Sequence, residues 1–115
     1  MQERFDTIDK RRNFIDSRVN NMRYDTSVET CVTPVKDICQ EVDIDIQYTN
    51  ETMDGYIVFN ARINKTTIYY NPNQFRPRIN FTIAHELSHW IYDYDELVRL
   101  AALDADGCGR LFDAV

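Results

Sequence analysis

No stretch of this 115-residue sequence approaches the ~20 consecutive apolar residues that a bilayer-spanning helix needs, which argues against a helical membrane protein. The first ten residues, Met1 to Lys10, are charged from the start and contain no apolar core of the kind a secretory signal carries, so the expected location is cytoplasmic. Cysteine is scarce and odd in number. Cys31, Cys39 and Cys108 form no Cys-x-x-Cys pair, which excludes the usual zinc-knuckle spacing and makes a disulfide framework implausible; at least one of Cys31 and Cys39 is expected as a small core residue. Positive charge is also in deficit. A net charge of −6 argues against direct binding to nucleic acid, because neutralising phosphates requires a basic surface. There is no internal repeat and no low-complexity linker, so residues 1–115 read as one domain with its core over about 3–106.

Histidine is scarcest of all the chemically informative residues. Only His85 and His89 occur, and both fall in His85-Glu86-Leu87-Ser88-His89, a His-Glu-x-x-His pattern. On an α-helix, positions i and i+4 lie about 40° apart and one turn up the axis, so two imidazoles can face one tetrahedral zinc ion. Glu86 falls roughly 60 to 100° further round, where its carboxylate can take a proton from water activated by the metal. With Ile83 placed at 0° on a helical wheel, Leu87, Ile91 and Ala84 lie between about 40° and 100° and Trp90 near 340°, while the histidines lie near 200° and 240°. The histidines therefore point away from the apolar stripe that seats the helix.

Upstream, Phe5, Ile8, Phe14 or Ile15, Val19 and Met22 recur at helical intervals and predict an amphipathic helix from Glu3 to about Tyr24, with Lys10-Arg11-Arg12 on its solvated face. Thr33 and Pro34 form an N-cap and first-turn pair for a second, short helix carrying Val35, Ile38, Cys39 and Val42. From Ile44 the period changes to two. Ile44, Ile46 and Tyr48 mark one strand; Tyr56 to Phe59, after the Asp54-Gly55 turn, a second; and Thr66 to Tyr70, after the Asn64-Lys65 turn, a third. These strands suggest an antiparallel meander. Asn71-Pro72-Asn73 ends it, and the metal helix is expected to start near Arg78 to Asn80 and stop near Tyr92. Asp93-Tyr94-Asp95 reads as a turn, and Glu96 to about Asp106 as a last helix stopped by Gly107-Cys108-Gly109. The expected class is α+β: N-terminal helices, a three-stranded antiparallel sheet, a metal helix and a C-terminal helix.

A catalytic zinc usually has three protein ligands and one open position. With no third histidine, the remaining ligand is expected to be a carboxylate after His89: Asp93, Asp95, Glu96, Asp104 or Asp106. Asp93, another turn up the same helix, is poorly placed to close around the ion. Asp104 or Asp106 could reach it if the last helix folded back across the metal helix.

Asn80 to Trp90, reading Asn-Phe-Thr-Ile-Ala-His-Glu-Leu-Ser-His-Trp, resembles the Arg-Phe-Thr-Ile-Ala-His-Glu-Leu-Gly-His core of the ImmA/IrrE metallo-endopeptidases, zincins of bacteria, phages and mobile elements. The resemblance is strong over residues 66–92 and weaker elsewhere. It implies a zincin-like fold, a Zn2+ cofactor, His85 and His89 as ligands, Glu86 as general base, and Asp104 of Asp104-Ala105-Asp106 in the position of the family's third ligand, where aspartate stands in place of glutamate at a shorter spacing. The implied partner is a protein substrate, a helix-turn-helix repressor or similar regulatory protein. Tyr92, Tyr94 and Arg76 are candidates to stabilise the oxyanion of peptide hydrolysis. The rival expectation is a zincin-fold module that binds a regulatory protein stoichiometrically without cleaving it.

Overall fold

The computed structural model describes residues 3–23, 35–50 and 52–112. A 3-10 turn over Glu3–Phe5 leads into α1 (Ile8–Arg23), and α2 follows (Val35–Glu41). The strands are β1 (Ile44–Tyr48), β2 (Gly55–Asn60) and β3 (Lys65–Tyr70); α3 then occupies Arg76–Leu103, and β4 spans Cys108–Phe112. The α+β class is as expected. Thr7 starts α1, its hydroxyl accepting from the Lys10 amide at 3.2 Å. Thr33 and Pro34, the expected start of α2, lie outside the described residues, as does Cys31.

The sheet is not a three-stranded antiparallel meander. It has four strands in the order β1-β3-β2-β4, with β1 parallel to β3 and the other two pairs antiparallel. The reason lies in β2, whose residues Gly55 to Phe59 are all buried, so it needs a hydrogen-bonded neighbour on each side and cover on each face. The hairpin through Asn64, in the left-handed region at φ 52°, supplies β3 on one side. On the other side the neighbour is β4, and β1 is displaced to the far edge of β3, where it must run parallel. Its exposed alternate positions, Asp45 and Gln47, suit an edge. β4 itself was hidden in the sequence behind the Gly107-Cys108-Gly109 stop signal. Gly109 is required there, because a Cβ would lie 2.0 Å from the Leu97 carbonyl oxygen and 2.7 Å from the Ala101 nitrogen.

Ile57 and Phe59 of β2 and Ile68 of β3 form one core with Ile38 and Cys39 of α2 and with Ile83, Leu87, Trp90, Ile91, Tyr94, Leu97 and Ala101 of α3. Phe5 closes this core from the N-terminal side, its ring edge-on to Trp90 at 5.5 Å and to Phe14 at 5.3 Å. Ala84, expected in the apolar stripe, is exposed. Arg11 is a larger departure from a solvated basic face. It is 1% exposed, donating from Nε to the Ile91 carbonyl at 2.9 Å and from Nη1 to the Phe5 carbonyl at 2.8 Å, with its guanidinium 5.4 Å from the Tyr94 ring centroid. Burial pulls the Arg11 pKa down, opposed by the nearby charge of Asp95.

The expected boundary at Asp93 to Asp95 is a kink, where two helical segments meet without an intervening loop. α3 runs for 28 residues, starting two residues before the expected boundary, and Asp93 is the one residue within it whose backbone is non-helical, at φ −118° and ψ 17°. Tyr94 and Leu97 are buried in the core, so apolar residues resume directly after the kink and both segments of α3 pack on it. No helix among the described residues is long and apolar enough to cross a membrane.

Candidate metal centre

Burial of Ile83, Leu87, Trp90 and Ile91 fixes the rotation of α3, and that rotation decides where the His-Glu-x-x-His residues point. His85 emerges on the exposed side, His89 is half-buried, and Glu86, between the two faces, is 1% exposed. One ligand atom from each of these three residues lies within 4.8 Å of the other two. The imidazole rings stand edge to face, with centroids 5.2 Å apart. The two imidazoles are donors of the type and spacing that could hold a zinc ion, with the Glu86 carboxylate beside them.

Asp104 is not brought to this cluster. It caps the C-terminus of α3, beyond the kink at Asp93, and is not among the donors that lie within 4.8 Å of one another. Its Oδ2 accepts from the amides of Asp106 at 3.0 Å and Cys108 at 3.1 Å, shaping the turn into β4. The physical reason is that the chain kinks at Asp93 without reversing, so the segment that ends at Leu103 does not fold back over the histidines. Asp106 lies in the same exposed turn, and Glu96 is held by Arg99 three residues on, with its Oε2 2.8 Å from the guanidinium. Asp95 is exposed. Asp93 does approach the cluster, with its Oδ2 2.8 Å from Nδ1 of His89.

Of the three groups named as oxyanion partners, Tyr94 is in the core between Arg11 and the Phe59 ring, and its hydroxyl is pushed up in pKa by burial; Tyr92 and Arg76 are exposed on α3.

A cavity of about 160 Å³ adjoins the cluster, between the Asp54-Gly55 entry to β2 and Arg78, Phe81, Thr82, His85 and Glu86 of α3. Its walls are tied together. Gln74 donates to the carbonyls of Asp54 at 2.9 Å and Asn71 at 2.8 Å, and its Oε1 accepts from the Thr82 hydroxyl at 2.9 Å. Arg78 pairs with Asp54 at 2.7 Å and lies over the Phe81 ring at 5.5 Å. Gly55 keeps the wall thin, since a Cβ there would stand 2.6 Å from Cγ2 of Thr82 and 2.7 Å from the Tyr69 carbonyl oxygen. Apart from the His-Glu-x-x-His stretch and the Asp54-Gly55 turn, nothing in the sequence marked a pocket here, because it is made by two segments more than twenty residues apart.

Comparison of the chain with protein-family models, curated proteins and solved structures finds no match in any of the three.

Proposed function

We propose that the chain is a zinc-dependent endopeptidase of the ImmA/IrrE kind, with a zincin-like arrangement of metal helix against sheet and a regulatory protein, such as a helix-turn-helix repressor, as substrate. The observation that carries this reading is the joint placement of His85, Glu86 and His89, with their ligand atoms within 4.8 Å and the Glu86 carboxylate buried at the wall of a cavity. His85 and His89 would hold a zinc ion, which would supply Lewis-acid chemistry for peptide hydrolysis. Glu86 accepts the proton released by water and returns it to the leaving amine. Its burial suits that role, since a carboxylate screened from bulk solvent keeps its proton for transfer rather than losing it to exchange. The cavity beside it, with Phe81 on its rim, seats a substrate side chain next to the cleaved bond.

One observation favours the second reading, a stoichiometric binding module: Asp104 caps the turn after α3 instead of completing the ligand set. The two readings separate by experiment. Protein purified without chelator is expected to contain about one zinc per chain, with His85→Ala and His89→Ala losing it. Glu86→Gln is expected to retain zinc and fold while cleaving a candidate repressor at least 100-fold more slowly than wild type, the scale on which a positioned general base acts. Zinc uptake without cleavage by the wild type selects the binding module; equal metal content in the wild type and both histidine variants removes the metal centre altogether.

A further inference from the structure

We propose that Asp93 is the positioning residue of the metal centre, holding His89 in the tautomer that carries its proton on Nδ1 and leaving the Nε2 lone pair to face the ion. The inference rests on the metal-site reading given above. It begins with the 2.8 Å separation between His89 Nδ1 and Asp93 Oδ2. An ionised carboxylate is an acceptor only, so in the neutral ring the shared hydrogen sits on Nδ1. The lone pair is then on Nε2, at the opposite side of the imidazole, and a carboxylate behind the ring also makes that nitrogen a stronger donor to a metal.

Sequence spacing accounts for the contact. Residues four apart on a helix lie one above the other, and side chains lean toward the helix N-terminus, so a carboxylate at position 93 leans back onto the ring at position 89. Asp93 is also the one non-helical residue of α3, in the sparsely populated region between the helical and extended basins. That departure coincides with the residue that grips the histidine. Both side chains are partly shielded, with His89 at 23% and Asp93 at 45% of full exposure, so solvent does not simply replace the contact.

The same geometry separates positioning from ligation. Asp93 is not a member of the group of donors that lie within 4.8 Å of one another, and its Oδ2 is engaged on Nδ1 of His89, which would leave Nε2 for an ion. His85 has no counterpart of Asp93 one turn further on, because that position is His89 itself. Its ring instead lies near Phe81, with centroids 6.3 Å apart at 27°, and edge-on to His89.

The test uses the full chain in metal-free and zinc-loaded forms. Long-range proton–nitrogen NMR of the metal-free protein, with imidazole neutral, is expected to show His89 protonated on Nδ1 in the wild type and shifted toward the Nε2-protonated form in Asp93→Ala. Zinc affinity measured by competition with a chromophoric chelator is expected to fall about 10- to 100-fold in Asp93→Ala. Asp93→Asn keeps the shape and an acceptor oxygen but loses the charge, so its affinity is expected to lie between the two, and it also guards against a loss caused only by altered folding. An Nε2-protonated His89 in the metal-free wild type, or unchanged zinc affinity in Asp93→Ala, overturns the proposal. A wild-type chain that takes up no zinc overturns the metal-site reading instead, and the ring tautomer of the metal-free protein still decides whether Asp93 controls His89.

Discussion

Replacing Arg11 by methionine isolates a buried cation that ties α1 to α3. The guanidinium donates to the Ile91 and Phe5 carbonyls and stands over the Tyr94 ring, all in a site 1% exposed. Methionine fills similar space but donates nothing, leaving two buried carbonyl oxygens short of a partner at about 1 to 3 kcal/mol each. The ring contact adds up to ~2 kcal/mol when desolvated. Against this, the variant no longer desolvates a charge, which recovers several kcal/mol in principle. The net expectation is a destabilisation of about 3 kcal/mol, equivalent to roughly 10 °C in melting temperature for a domain of this size. Urea unfolding in the presence of chelator, followed by fluorescence of Trp90, measures it without a contribution from metal binding. Trp90 is the sole tryptophan and is buried against Phe5, next to the perturbed contact. Arg11→Lys should recover only part of the loss, since one ammonium cannot reproduce the planar fork that reaches two carbonyls. An Arg11→Met variant as stable as the wild type would show that desolvation outweighs both hydrogen bonds and would refute the reasoning.

Three further outcomes are expected. Asp104→Ala should lower stability by about 1 kcal/mol through loss of its two amide hydrogen bonds and leave zinc affinity within twofold of the wild type; a large loss of zinc with unchanged stability would return Asp104 to the ligand set. Gly109→Ala forces backbone apart, because the new Cβ would sit 2.0 Å from the Leu97 carbonyl oxygen, so a loss of about 3 kcal/mol or more is expected in urea unfolding, and a loss below 1 kcal/mol would contradict the packing of β4 on α3. Burial pushes the Cys39 thiol up to about 12 from an ordinary value of 9.0. Alkylation followed by peptide mapping should therefore find Cys39 unmodified in the native protein and modified on denaturation. Since the unfolded thiol ionises first, this group contributes stability that is full below about pH 9 and is lost as pH rises toward 12.

The His85, Glu86 and His89 placement was legible in the sequence because it depends only on helical geometry and on one apolar stripe, both local properties of the chain. The strands β1, β2 and β3 were legible for the same reason, each by its own alternation or β-branched content. What joins to what was not. The parallel placement of β1 and the insertion of β4 beside β2 follow from competition for a strand buried on both faces, and that competition is settled only when all four strands and α3 are packed together. Other departures share this origin. Asp93-Tyr94-Asp95 is a kink rather than a reversal, with Tyr94 and Leu97 buried in the core beyond it, and Arg11 looks solvated until Phe5 and Ile91 turn their carbonyls toward it. The kink in α3 without a reversal then changes the expected roles of two aspartates: Asp104 shapes the turn into β4, and Asp93 stands against His89. Residue spacing along one helix determined which side chains could serve a metal, whereas the tertiary structure, through the surface that α3 had to bury, decided which carboxylate stands beside them.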